Sequence, residues 1–116
     1  VIKRPLHYRL IGRLPVPCEL MEWARWFETA DDERRVALAQ IGPLSVSTVF
    51  LGTDYEYRDG FPAILFETMI FGSDDHANWY QTLCETWADA ELMHRTAVSH
   101  AEQIVASAAK LLEPHH

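Results

Sequence analysis

At 116 residues, with 48% apolar and 23% charged side chains, the chain has the makeup of one globular domain, 1–116, which excludes a disordered or fibrous reading. No apolar run approaches the roughly 18 residues that cross a bilayer, and Val1-Ile2-Lys3-Arg4-Pro5-Leu6 lacks the apolar core of a secretory signal, so neither a membrane partner nor export is expected. The net charge of −7 is unevenly spread: residues 1–40 hold seven basic and six acidic side chains, residues 41–116 three and eleven. Neutralising phosphates needs a basic face, so nucleic acid is disfavoured as a partner. A basic or uncharged partner is expected instead.

Leu6 to Gly12 alternates and predicts a short first strand, which Pro15 and Pro17 should stop because neither can donate to a ladder. Apolar residues at 20, 23, 24 and 27 recur at helical spacing, predicting a helix from Cys18 to about Thr29. Glu19 and Glu22 fall in its first turn, where the helix dipole favours them. Asp31-Asp32-Glu33 should open a loop. Arg34 to Ile41 alternates as a strand, and Gly42-Pro43 makes a turn. Leu44 to Thr53 is rich in β-branched residues and predicts the next strand.

After a turn at Arg58-Asp59-Gly60, the apolar run Pro62 to Phe71 reads as a strand near the sheet centre. Gly72-Ser73-Asp74-Asp75 turns the chain again, and Trp79 to Cys84 adds a last strand. Thr86-Trp87-Ala88-Asp89 resembles a capping box opening a long helix, with an apolar stripe at 90, 93, 97, 101, 104, 108 and 111 and an end at Pro114. The order β-α-β-β-β-β-α, with short turns between neighbouring strands, predicts an α+β fold. Its antiparallel sheet has four or five strands and carries two helices.

Glu67 is the most unusual residue, a carboxylate in the middle of Ile64-Leu65-Phe66-Glu67-Thr68-Met69-Ile70. Period-2 geometry places it with Leu65, Met69 and Phe71, opposite Phe66, Thr68 and Ile70. Buried in a cleft it would be a candidate acid or base. On the open face it would be a structural carboxylate paired with Arg34 or Arg35. Asp54, at the end of the preceding strand, could join it as a carboxylate pair, or could be a solvated turn residue.

Glu91-x-x-His94 matches half of a carboxylate-bridged metal site, but the second copy is missing, and Asp74-Asp75-His76 fits no standard metal loop. No metal and no cofactor is therefore expected, and His94 reads most simply as packed beside the helix stripe, with catalysis as its other role. Trp23, Trp26 and Phe27 share one broad helix face. They serve the core or, in excess of it, a protein partner or a homodimer surface. Cys18 and Cys84 match no metal or redox spacing and read as reduced thiols. No nucleophile motif, phosphate loop or dinucleotide fingerprint is present, which tilts the reading away from an enzyme.

The stretches Trp23–Asp31, Val46–Asp54 and Leu65–Gly72, with Thr86-Trp87-x-x-Ala90-Glu91-x-x-His94, resemble small uncharacterised proteins encoded by tailed bacteriophages and prophages. The likeness covers residues 18–95 and departs from the pattern at Thr53-Asp54-Tyr55, where a histidine often follows the aspartate. It implies an accessory protein of the bacterial cytoplasm and no particular activity. The leading expectation is a non-catalytic interaction module that occupies a host or phage protein, for example by inhibiting a host defence system. A small enzyme or ligand-binding domain at Glu67 and Asp54, and a virion or assembly component, are the alternatives.

Overall fold

The computed structural model describes residues 5–54, 58–72 and 80–112. It is an α+β fold with six strands and three helical segments in the described residues. β1 (Tyr8–Ile11) and β2 (Leu14–Pro17) form a two-stranded hairpin. α1 (Leu20–Phe27) and a helical turn, α2 (Asp31–Arg34), follow. β3 (Arg35–Ile41), β4 (Leu44–Phe50), β5 (Phe66–Phe71) and β6 (Tyr80–Cys84) then make an antiparallel sheet in chain order. α3 (Trp87–Leu111) closes the fold.

The prolines do not stop the hairpin. Pro15 and Pro17 lie opposite Leu10 and Tyr8, while the intervening Val16 faces Arg9 and the Cys18 N–H donates to the His7 carbonyl at 3.0 Å. Prolines two residues apart share one side of a strand, and here that side makes no ladder bonds. Asp31-Asp32-Glu33 is also more ordered than expected, since it makes the turn of α2, with the Arg34 N–H bonded to the Ala30 carbonyl at 2.9 Å.

Gly42 has φ +57 ahead of Pro43, whose ring fixes a negative φ. That pairing suits the two-residue connection of the β3–β4 hairpin, where Ile41 faces Leu44. At the far end the chain beyond β4 is held by the Leu51 N–H to the Leu65 carbonyl, 2.7 Å, and by a bridge between Thr53 and His7. The first hairpin is thus laid along the extension of β4. The Thr86 hydroxyl accepts from the Asp89 N–H at 3.1 Å, the N-cap expected from the sequence.

Alternation assigns the two sheet faces. Val46, Thr48 and Phe50 of β4 and Phe66, Thr68 and Ile70 of β5 are buried beneath the helices. Ala90, Ala97 and Ala101 are fully buried on α3, and side chains this small let the helix lie close to the sheet. Beyond Val105 the helix is exposed; Leu111 and Leu112 are 82% and 85% exposed, so the predicted stripe outruns the surface that could cover it.

Candidate functional site

One aromatic file runs through the core from α1 to α3. His7 lies 5.1 Å from Trp23, Trp23 4.7 Å from Phe27, Trp26 5.9 Å from Phe50, and Phe50 5.3 Å from Phe66, which meets Trp87 at 6.1 Å. Trp26 is buried, and Trp23 and Phe27 pack against the same cluster. The three aromatics named from the sequence therefore fill the core side of α1. Arg34 lies over the Phe27 ring at 3.9 Å and donates from Nε to the Phe50 carbonyl at 3.0 Å. Gly52, at φ +80, brings its backbone so near the file that a Cβ there would sit 2.8 Å from Trp23 Nε1.

A second feature lies between the two apolar clusters of the core. Thr48, Thr68 and Thr82 stand opposite one another on β4, β5 and β6. Thr48 Oγ1 is 2.5 Å from Thr68 Oγ1 and 2.8 Å from Nδ1 of His94, which reaches down from α3. Burial lowers the His94 pKa below its ordinary value, so the ring is held neutral against the hydroxyls. Phe50, Phe66 and Ala90 lie to one side of this polar row, and Val46, Ile70, Ala97 and Ala101 to the other.

The sequence-named carboxylates do not converge on it. Glu67 projects from the opposite face of β5, where Gln81 Nε2 donates to it, so its partner is Gln81 and not Arg34 or Arg35. Asp54 is only 3% exposed, so it is no solvated turn residue. Its Oδ1 accepts from the Ile64 N–H at 3.1 Å and its own N–H donates to the Leu6 carbonyl at 3.0 Å, tying the 61–65 segment to the hairpin. The half metal motif is split as well, with Glu91 3.8 Å from Arg13 while His94 turns to the sheet. Among the described residues no group of His, Cys, Asp and Glu is placed to hold a metal ion, and Asp74-Asp75-His76 lies outside them. Cys18 and Cys84 are both free, and burial raises each thiol, Cys84 to about 11. Neither is an activated nucleophile.

The remaining feature is the sheet face that the helices leave uncovered. Its cross-strand rows can be read from the register. One row runs Arg35, Val49, Glu67, Leu83. The next runs Leu38, Ser47, Met69, Gln81, and the third Gln40, Ser45, Phe71. Leu38 is 58% exposed, and Val49, Met69, Phe71 and Leu83 are each half-buried. Five apolar side chains are thus interleaved there with serines and glutamines. Sequence reasoning puts Glu67 on this side of β5 but misses the face as a site, since its extent depends on how four strands align.

No helix among the described residues is long and apolar enough to cross a membrane. Compared with known proteins, the chain matches no family model, no curated protein and no solved structure.

Proposed function

We propose that this chain is a non-catalytic protein-interaction module, an accessory protein of the kind encoded by tailed phages and prophages, working in the bacterial cytoplasm. The observation that carries this reading is the uncovered sheet face, with Leu38, Val49, Met69, Phe71 and Leu83 presented on a rigid four-stranded support. Catalysis is less well supported, because Asp54 and His94 are engaged inside the fold and Glu67 stands on the other side of the sheet from His94. The eleven acidic against three basic side chains of residues 41–116 suit a partner with a positive surface. Occupying a nucleic-acid-binding surface of a host defence complex is a specific form of this role.

The test is affinity capture from phage-infected bacteria with the wild-type chain and with Met69→Lys, followed by rebinding of any captured protein in purified form. The expected result is a protein retained by the wild type, lost with Met69→Lys and bound more weakly as salt rises. Equal retention by the variant, or no specific retention by the wild type, would contradict the reading.

A further inference from the structure

Among the paired strand residues, the uncovered face carries one positive and one negative side chain, and their placement is self-complementary. Arg35 on β3 and Glu67 on β5 flank Val49 on β4 in the same cross-strand row. Strands lie about 4.8 Å apart, so the Cα atoms of the two residues stand about 10 Å apart on either side of Val49. This is the point where β3 shifts register, between Arg35 and Ala37. Neither saturates the other within one chain. Arg35 lies 3.9 Å from fully exposed Asp32, a pair of little energetic weight, and Glu67 accepts from Gln81.

We propose that this face pairs with the same face of a second copy, about a two-fold axis that runs parallel to the strands above β4. That operation exchanges β3 and β5 across the interface and leaves β4 facing itself. Arg35 of each copy then meets Glu67 of the other, twice per dimer. In the next row Leu38 falls opposite Met69, and on the axis Val49 meets Val49. The strands of the two copies run in the same direction, which is the aligned mode of sheet-on-sheet packing, opened by the sheet twist to about 30°. An isologous contact of this kind is closed and needs no further copies.

Four strands make a face about 19 Å wide, and the longest strands, seven residues each, run about 24 Å, which gives about 450 Å². That is below the usual size of a stable interface, about 800 Å² per partner. The association is therefore weak and concentration-dependent. The inference rests on the reading of the chain as an interaction module whose working surface is this face, and it names the occupant.

The experiment uses the whole chain in sedimentation equilibrium over a concentration series. The wild type is expected to shift from monomer to dimer in the micromolar range or above. Arg35→Glu sets two carboxylates against each other in both contacts, and Glu67→Arg sets two guanidinium groups against each other in the same places. Each variant alone should weaken self-association about tenfold or more. Mixed together, the two variants restore both ion pairs and should form a heterodimer about as tight as the wild-type dimer. Both substitutions are at solvent-facing positions, and circular dichroism verifies that each variant is folded. Should either variant fail to fold, Leu38→Asp supplies the same readout by removing the Leu38–Met69 contact.

A wild type that stays monomeric up to about 1 mM overturns the inference, and so does a dimer that neither charge reversal weakens. A mixture that remains as weak as its components also overturns it. If the wild type is monomeric yet an unlike protein is captured by this face, self-pairing fails while the interaction module stands. If the swap rule holds and no unlike protein is retained, the reverse is true.

Discussion

Phe50→Ala should lower the unfolding free energy by about 3–5 kcal/mol, measured by equilibrium denaturation in urea. Phe50 is fully buried at the end of β4, and its ring touches both Trp26 of α1 and Phe66 of β5. It is the point where the aromatic file crosses from the helix to the sheet. Removing the ring takes away apolar burial and leaves a cavity walled by large aromatics, which cannot easily collapse to fill it. A domain of this size is held by about 5–15 kcal/mol in all, so the loss is a large share of the total. Met69→Ala on the uncovered face is the internal contrast, because it creates no enclosed cavity and should lower stability far less.

The polar row gives the second large effect. Thr48→Val conserves shape but removes the hydroxyl that serves both Thr68 and His94. A buried group left without its partner costs about 1–3 kcal/mol, and two groups lose one here. The Thr68 hydroxyl can turn toward Thr82, whose Oγ1 is buried without a partner among the described residues, so the expected loss stays near one such penalty. The same row makes stability depend on pH. The folded-state pKa of His94 is lowered by burial, so protons bind the unfolded chain more readily. Its contribution is fully present above the unfolded-state value of about 6.5 and is lost as pH falls from there through the lower folded-state value. Denaturation curves at pH 7.5 and at pH 5 should show this loss in the wild type, and His94→Leu should flatten that part of the profile.

Much of this architecture is legible in local pattern. Alternation separates Phe66, Thr68 and Ile70 from Glu67, Met69 and Phe71, as the structure has it. But β5 begins only at Phe66, and Leu65, expected beside Glu67, is buried in the core with Phe50 and Phe66, because alternation holds only where the chain is paired as a strand. Thr86 and Asp89 announce the start of α3 because capping is a contact three residues long. The misses share a cause. Pro15 and Pro17 read as a stop, since a sequence does not tell which side of an edge strand goes unpaired. Asp54 reads as a solvated turn, because its burial depends on the 61–65 segment folding back over it.

The candidate site follows the same division. The apolar pattern places the stripe on Met93, whereas His94 is the buried residue: 90, 94, 97 and 101 keep helical spacing equally well, and the His94 ring meets the Thr48 hydroxyl. Those threonines lie twenty residues apart, and only the register of β4 with β5 brings them together. The pairing of Arg35 and Glu67 across Val49 is likewise a product of register. Alternation reports which face a side chain takes. It says nothing of which neighbour stands beside it.

Site-resolved alkylation of Val46→Cys and Ser47→Cys, done on dilute protein, tests the division of the sheet into a covered and an open face most directly. Val46 is fully buried under α3 and Ser47 lies on the opposite side of β4. The thiol of Ser47→Cys, at a half-buried position, should react without unfolding of the chain. That of Val46→Cys should be slower by about a hundredfold or more, limited by opening of the fold. Equal rates, or a faster reaction in Val46→Cys, would mean that the helices do not cover the face assigned to them and that no open contact surface exists.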